Sequence, residues 1–176
     1  MEIKSFVRQS LGEWGAMRSG HSLAFKQFEE VTSNISIRLL ENDDRNLQDF
    51  LNRTDYPNSN FVTPFEINWT ATSDWKESNK EEELNGSSIF IPIEYSTSTG
   101  IILRSKGYAE KEKAISEYLF LSDGTLVLTT IYEQLIAEER IWFISPNVRC
   151  RSSVIKSINK NAILQTSFTS EIRKLG

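Results

Sequence analysis

Two arginines stand two positions apart, Arg149 and Arg151, in the segment RIWFISPNVRCRSSV (140–154), which reads as a β-strand. Successive side chains of a strand point to opposite faces, so both guanidinium groups lie on one face, opposite Val148 and Cys150. Hydrophobic patterning taken alone predicts that the arginines face solvent. The alternative is that they face inward and bind an anion, because a planar guanidinium can hold a carboxylate through two hydrogen bonds.

Two tryptophans share one face of a second predicted strand. In FEINWTATSDW (65–75) the odd positions are apolar or small, so this face is predicted to point inside. Trp69 and Trp75 lie about 20 Å apart along that face, and the residues between them, Ala71 and Ser73, are small. Such a strand can simply pack a core, or its indole rings can form the floor of a cavity for a flat aromatic ligand.

The chain contains one cysteine and one histidine. Cys150 cannot form an internal disulfide, and a lone thiol does not make a metal site. A nucleophilic role would need a base beside the thiol, and His21 is far away in the sequence. We therefore predict that Cys150 is a small residue packed on a strand. For His21, a hydrogen-bonded structural role and a ligand contact are both open.

The composition is ordinary for a globular protein, with 176 residues, 39% hydrophobic and 25% charged, and a net charge of -4. This length suits one domain over 1–176. The negative charge gives no reason to expect nucleic-acid binding, which depends on a basic face. No apolar run reaches the roughly 18 residues of a membrane span, and the N-terminus lacks signal or transit-peptide character. We therefore expect a cytosolic protein without a membrane span.

The periodicity predicts two short helices and many strands. One helix is predicted within residues 3–14 and a second over 42–54, with an aspartate as its N-cap. Nearly all other segments read as strands of five to ten residues, including HSLAFKQF (21–28), and residues 122–124 as a tight Asp-Gly hairpin turn. This succession favours an all-β fold with minor helix, either an antiparallel barrel or a sandwich.

Two blocks of the sequence are similar to the signatures of a known family. SLGEWGAMRSGHSLAF (10–25) resembles the N-terminal signature of the S-type phycobiliprotein lyases, the CpcS/CpeS family of bilin chromophore lyases. The positions of that signature are held by Ser10, Gly12, Trp14, Arg18, His21, Leu23, Ala24 and Phe25. EERIWFISPNVRCRSSV (138–154) resembles a second block of the family, and SKGYAE and SFTSEIRK also fit. The resemblance spans nearly the whole chain.

This resemblance implies a lipocalin-like, antiparallel up-and-down β-barrel with an N-terminal helix and a second short helix. It implies an enzyme that binds a linear tetrapyrrole, or bilin, in a barrel pocket and attaches it by a thioether bond to a cysteine of a phycobiliprotein subunit. Overall likeness to the CpeS branch favours phycoerythrobilin over phycocyanobilin. The bilin is then a bound substrate, with no permanent cofactor and no metal.

The resemblance also implies partners and a setting. The partners are the apo phycobiliprotein subunit as acceptor, a bilin-synthesising reductase as donor and a second copy in a homodimer. The setting is the cytoplasm of a cyanobacterium or the stroma of a plastid.

The family match reverses the orientation that patterning suggests for the arginines, because a bilin carries two propionates that need cationic partners. The residues of this chain that are then expected to bind the bilin are Trp14, His21, Trp69, Trp75, Tyr108, Arg149, Arg151 and Ser153. The expected catalytic residues are Arg18, Glu139 and Glu171. For Trp14, plugging the barrel end is the favoured role. Two buried guanidinium groups need counter-charges, for which Glu139 and Glu171 are the candidates; either carboxyl could also serve as the acid.

Two alternatives keep the same barrel. A non-catalytic carrier would bind a bilin or another hydrophobic acid without transferring it, because the same pocket residues serve both tasks. A structural interaction protein would have a barrel filled by its own side chains.

Overall fold

The computed structural model describes residues 1–57, 59–73, 85–105, 114–160 and 162–175. Its strands form one closed antiparallel barrel, in which each strand pairs with its sequence neighbour and β1 pairs with β10. The helices and strands are α1 (Ile3–Ser10), β1 (Gly12–Ser22), β2 (Gln27–Leu39), α2 (Arg45–Leu51), β3 (Phe65–Ser73), β4 (Gly86–Glu94), β5 (Thr99–Arg104), β6 (Ala114–Phe120), β7 (Leu126–Tyr132), β8 (Leu135–Ser145), β9 (Val148–Ser157) and β10 (Ala162–Arg173). The predicted up-and-down barrel is confirmed, and the sandwich is excluded because the sheet closes on itself.

Three boundaries differ from the prediction. The first helix ends at Ser10, because Gly12 takes a positive φ of 112° and begins β1. The segment 21–28 is the end of β1, a turn and the start of β2, rather than one strand. The segment 140–154 is likewise two strands, since a turn at Pro146 and Asn147 separates β8 from β9. Both arginines of the motif remain together on β9.

The second helix and the hairpin turn follow their local signals. Helix α2 starts after Asp44, whose carboxylate accepts hydrogen bonds from the backbone N–H groups of Asn46 and Leu47. Between β6 and β7, Asp123 accepts from the Thr125 N–H at 2.9 Å and Gly124 has a φ of 86°. These two elements needed no long-range information.

Helix α1 closes one end of the barrel. Its apolar residues Ile3, Phe6 and Val7 are 1%, 5% and 2% exposed. They pack in one core cluster with Trp14 and with side chains from β2, β3 and β5 to β8. The barrel interior therefore has a floor made by α1, and any opening lies at the other end, where β1 meets β2.

Arg173 fastens α1 to the barrel. Its guanidinium donates to the backbone oxygens of Gln9, at 2.6 Å, and Leu11, which lie at the C-terminal end of α1. It also stacks 4.2 Å from the centre of the Trp14 ring. A Cβ at Gly12 would come 2.9 Å from this guanidinium, so a larger residue there would have to displace Arg173 as well as adopt a strained φ.

Helix α2 covers the outer face of the barrel at β4 and β5. Leu47 and Leu51 are 0% and 2% exposed and pack with Ile91, Ile101 and Leu103. Burying each leucine contributes about 1.5–3 kcal/mol, and this contact explains why β4 and β5 are apolar on both faces. In the part of the chain that the structure describes, no helix is long and apolar enough to cross a lipid bilayer.

Candidate functional site

The barrel encloses a cavity of about 370 Å³ above the α1 floor. This volume lies within the range of about 300–1,000 Å³ that small-molecule sites occupy. The side chains of Arg18 and Arg151 line the cavity and keep 28% and 22% exposure, so the cavity communicates with solvent. A hollow barrel, rather than one filled by side chains, is what the structure shows.

The walls of the cavity are mostly apolar. On β3, Phe65, Ile67, Trp69 and Ala71 all face it, as the alternation of this strand predicted. Other apolar side chains come from α1, β2, β4, β5, β7 and β8. Trp75 and Tyr108, the other two aromatic residues predicted for the pocket, lie outside the described residues.

Five charged side chains, which we call the ion network, form a chain of alternating sign along one side of the cavity. Arg104 donates to one oxygen of Glu139 at 2.8 Å, and the other oxygen lies 3.7 Å from Arg151. Arg151 lies 3.5 Å from one oxygen of Glu171, and the other oxygen accepts from Nε of Arg149 at 2.5 Å. Because the ion network contains three arginines and two glutamates, it carries one excess positive charge. This excess favours the binding of an acidic ligand.

Strand register explains how these residues meet. Glu139 and Glu171 lie on β8 and β10, the two strands that flank β9, and Glu171 pairs directly with Arg149. All three strands therefore turn charged side chains to the same inner face. The inward orientation of Arg149 and Arg151 replaces the solvent-facing one that patterning suggested, and Val148 and Cys150 face outward.

Burial and neighbouring charges shift the pKa values of the ion network in opposite directions. Burial by itself raises the pKa of Glu139, but the charges of Arg104 and Arg151 more than offset this, so its pKa is below the ordinary value of 4.5. Burial lowers the pKa of Arg149, and the nearby Glu171 partly restores it. Glu139 is therefore a carboxylate at neutral pH and accepts hydrogen bonds rather than donating a proton.

Arg149 is held more tightly than Arg151. It is 2% exposed, and its guanidinium lies 4.9 Å from the Trp14 ring centre and 5.9 Å from that of Phe143. The Arg151 side chain, in contrast, retains 22% exposure to solvent. Of the two, Arg151 is therefore the one that is more accessible to a ligand.

Several predicted site residues lie away from the cavity wall. Trp14 is fully buried beside α1, with its Nε1 donating to the Ser10 carbonyl at 2.9 Å, which agrees with a plug of the barrel end. Ser153 is bonded to Ser167 at 2.7 Å between Oγ atoms and does not line the cavity. In contrast, Arg18 lines it.

His21 lies on the outer face of the barrel, so the structure gives no support to an inward role for it. The even-numbered residues of β1, such as Ala16 and Arg18, face inside, and odd positions must then face outside. The exposed His21 ring instead meets the Phe28 ring edge to face, with centres 5.0 Å apart. Its position in the signature block therefore needs an explanation other than the cavity.

Arg104 is a cavity residue that the sequence interpretation missed. It is 4% exposed, it lies 5.4 Å from the Phe90 ring centre, and it shares its glutamate partner with Arg151. Its buried Nε has no hydrogen-bond partner among the residues that the structure describes, and such a donor favours an acceptor supplied by a ligand. The available signal was a single arginine that ends the otherwise apolar strand TGIILR.

Cys150 is buried at 4% exposure on the outer side of β9, opposite Trp142 on β8. Burial, helped by the charge of Glu171, raises the pKa of its thiol. A protonated thiol that faces away from the cavity does not act as its nucleophile.

Comparison with known proteins gives a consistent result. The profile of the family described as CpeS-like protein matches residues 2–174. The chain is 43% identical over 175 residues to chromophore lyase CpcS/CpeS 3 of Trichodesmium erythraeum, which covers 98% of this chain and 99% of that protein. It is 34% identical over 157 residues to phycocyanobilin lyase subunit CpcS of Picosynechococcus, covering 88% of this chain and 78% of that protein.

A solved structure matches the whole barrel. The S-type phycobiliprotein lyase CPES from Guillardia theta superposes with a TM-score of 0.84 at 31% identity, covering 100% of this chain and 94% of that one. The enzyme class that the sequence predicted is thus the class that the names of these proteins carry. With a closed barrel, a charged cavity and matches over nearly its full length, the chain belongs to the CpeS-like family of chromophore lyases.

Proposed function

We propose that this protein binds a bilin in the barrel cavity and attaches it by a thioether bond to a cysteine of a phycobiliprotein subunit. The observation that carries the proposal is the ion network, three arginines and two glutamates facing an otherwise apolar cavity. A bilin is a flat, conjugated ribbon with two propionates and several pyrrole nitrogens. Apolar walls, cationic forks and carboxylate acceptors are the three kinds of group that such a molecule needs.

The charged groups divide between the two polar parts of the bilin. We assign the propionates to Arg151, whose side chain lines the cavity and is 22% exposed, and to the Nε donor of Arg104, which has no hydrogen-bond partner among the described residues. Arg149 is regarded as support for Glu171. The pyrrole N–H groups would donate to Glu139, which is ionised at neutral pH. Trp69 supplies a flat wall for one ring.

The reaction adds the acceptor thiol across the ethylidene group of a terminal ring. A carbon–sulfur bond forms at the ethylidene carbon and the thiol proton ends on the neighbouring ring carbon, so no oxidant or reductant is needed. Holding the bilin with its reactive end toward the opening contributes to the rate by positioning. We assign Glu171 to proton transfer: its carboxylate would accept the thiol proton and pass it to the ring carbon. Arg18, nearer the solvent, would donate a hydrogen bond to the terminal-ring carbonyl.

The bilin that we propose is phycoerythrobilin, on overall likeness to CpeS proteins. Phycocyanobilin is the alternative, and the name of the Picosynechococcus relative favours it. A reductase as bilin donor, a homodimer and a cyanobacterial or plastid setting are further expectations from the family.

The test uses purified protein, each bilin and an apo phycobiliprotein subunit. An absorbance titration should show a saturable spectral change on bilin binding, and transfer should give an acid-stable, zinc-enhanced fluorescent band on the acceptor. Glu171→Gln should slow transfer and leave bilin binding largely intact. Glu138→Gln is the matched control, because this glutamate of β8 pairs with Arg140 and Lys156 outside the cavity.

The outcomes separate the candidate functions. Bilin binding without transfer to any acceptor would make the protein a carrier, and no spectral change would reject both roles. Wild-type transfer by the Glu171→Gln variant would remove this residue from the chemistry while leaving the lyase function in place.

A further inference from the structure

The hairpin that joins β1 to β2 presents apolar side chains to solvent beside the opening of the barrel. We call residues 21–28 the mouth hairpin. Leu23, Phe25 and Phe28 are 53%, 75% and 52% exposed. Large apolar groups exposed together on a monomer commonly mark an interaction site. The cavity uses none of these residues, although they belong to the signature block of the sequence or adjoin it.

The mouth hairpin is held in a defined conformation. The Leu23 N–H donates to the Leu164 carbonyl at 2.8 Å, which ties the turn to β10. Lys26 adopts a φ of 53°, and this tight turn leaves Phe25 facing outward. His21 packs against Phe28 across the hairpin. An ordered backbone that displays aromatic and aliphatic side chains is pre-organised for binding, because little conformational entropy is lost on contact.

The position of the hairpin limits what can bind there. Helix α1 fills the opposite end of the barrel with Ile3, Phe6 and Val7, all nearly inaccessible. A thiol that reacts with a ligand in the cavity must therefore arrive at the end where β1 meets β2. The protein that carries this thiol must therefore approach that end, where the mouth hairpin displays its apolar side chains.

From these observations we propose that the mouth hairpin is the docking surface for the acceptor protein, through Leu23 and Phe25. This inference rests on the proposed function and adds the site at which its second substrate binds. Aromatic and apolar residues are enriched at the cores of protein interfaces, and charged ones are depleted there. His21 acquires a role in this arrangement, since its ring supports Phe28 at the base of the surface.

The test compares two double variants of the full chain. Leu23→Ser with Phe25→Ser removes the apolar tip, and Met17→Ser with Ile172→Ser is the control, since these residues are 66% and 62% exposed on the outer barrel wall. All four side chains are exposed, so neither variant should lose thermal stability. Bilin affinity should equal that of the wild type in both, because none of the four lines the cavity.

Transfer is then measured at saturating bilin against acceptor concentration. The tip variant should raise KM for the acceptor by about tenfold or more, as loss of interface anchors does, with kcat within about twofold. The control should keep the wild-type KM. Binding of the bilin-loaded chain to an acceptor whose cysteine is replaced by alanine should weaken by the same factor, and this second measurement does not depend on transfer.

These measurements distinguish failure of the docking proposal from failure of the proposed lyase function. If the wild type binds the alanine acceptor and the tip variant does not, docking holds even where no transfer occurs. Equal KM values in wild type and tip variant overturn the docking proposal and leave the lyase function intact. A tip variant that changes only self-association, measured by sedimentation, would assign the surface to a second copy of this chain and also overturn it.

Discussion

Replacing Arg151 by methionine tests which cation binds the acid groups of the ligand. Methionine keeps most of the side-chain length and removes the charge. Glu139 then retains Arg104 at 2.8 Å and Glu171 retains Arg149, so both buried carboxylates keep their shorter ion contact. For this reason we expect the Arg151→Met variant to fold and to lose little stability.

The expected loss of bilin affinity in this variant follows from the kind of contact that is removed. A hydrogen bond to a charged group contributes about 1.5–3 kcal/mol, which corresponds to a rise of about 10- to 150-fold in Kd. The assay is an absorbance titration with the free bilin and with its propionate dimethyl ester. We expect Arg151→Met to lose affinity for the free diacid only, because the ester has no carboxylate for Arg151 to bind.

The control for this experiment is Arg140→Met. Arg140 lies on β8, has an exposed side chain and pairs with Glu138 away from the cavity, so its loss should change neither affinity. If Arg151→Met weakens the diacid and the ester equally, the residue contributes shape or stability rather than charge recognition. If it weakens neither, the assignment of the propionates to Arg151 is wrong.

Three further predictions concern the buried charges and the helix anchor. Arg149→Met should lower the free energy of unfolding in urea by about 3–5 kcal/mol, because it removes the closer of the two cations that pair with the buried Glu171 and leaves only Arg151, at 3.5 Å. Adding Glu171→Leu should restore most of the loss. The pKa of Glu139 is depressed in the folded state, so the stability that it contributes is present above the unfolded pKa and is lost as pH falls below 4.5. Arg104→Met, which removes its closest counter-charge, should therefore move acid unfolding to higher pH in a fluorescence titration. Arg173→Met should destabilise the protein by about 1–3 kcal/mol in thermal or urea unfolding, because the carbonyl oxygens of Gln9 and Leu11 lose the guanidinium that donates to them.

Each of these three predictions has an experimental result that would contradict it. An Arg149→Met variant as stable as wild type would mean that the pair with Glu171 contributes nothing, and an unchanged acid midpoint in Arg104→Met would deny the influence of that arginine on Glu139. For the helix anchor, Lys174→Met is the matched control, since this lysine bonds to Asn34 at an exposed site. Equal stability losses in the two variants would refute a specific role for Arg173.

Much of the fold could be predicted because its signals are local. Alternation along β3 placed Phe65, Ile67 and Trp69 inside, since a pleated strand has only two faces and one must avoid water. The Asp44 cap and the Asp-Gly turn act through backbone groups within three residues of the side chain. A succession of such strands with short turns already indicated an antiparallel all-β protein, and the family resemblance specified the barrel.

Other features could not be predicted because they depend on pairing between distant strands. The orientation of His21 depends on which face of β1 points into the barrel, and a mixed sequence of small and polar residues does not specify that. The turn at Pro146 and Asn147 divides a segment that reads as one strand. Arg104 enters the network from β5, which is three strands away from its partner on β8 around the barrel.

Local sequence patterns were sufficient to indicate the strand character, the helix and turn signals and the resemblance to a family whose barrel was expected to be hollow. The inward orientation of Arg149 and Arg151 depends on long-range pairing, because burial of a guanidinium is tolerated only where carboxylates compensate it. Those carboxylates, Glu139 and Glu171, come from the two strands that flank β9, and only the register of the closed sheet brings them within reach.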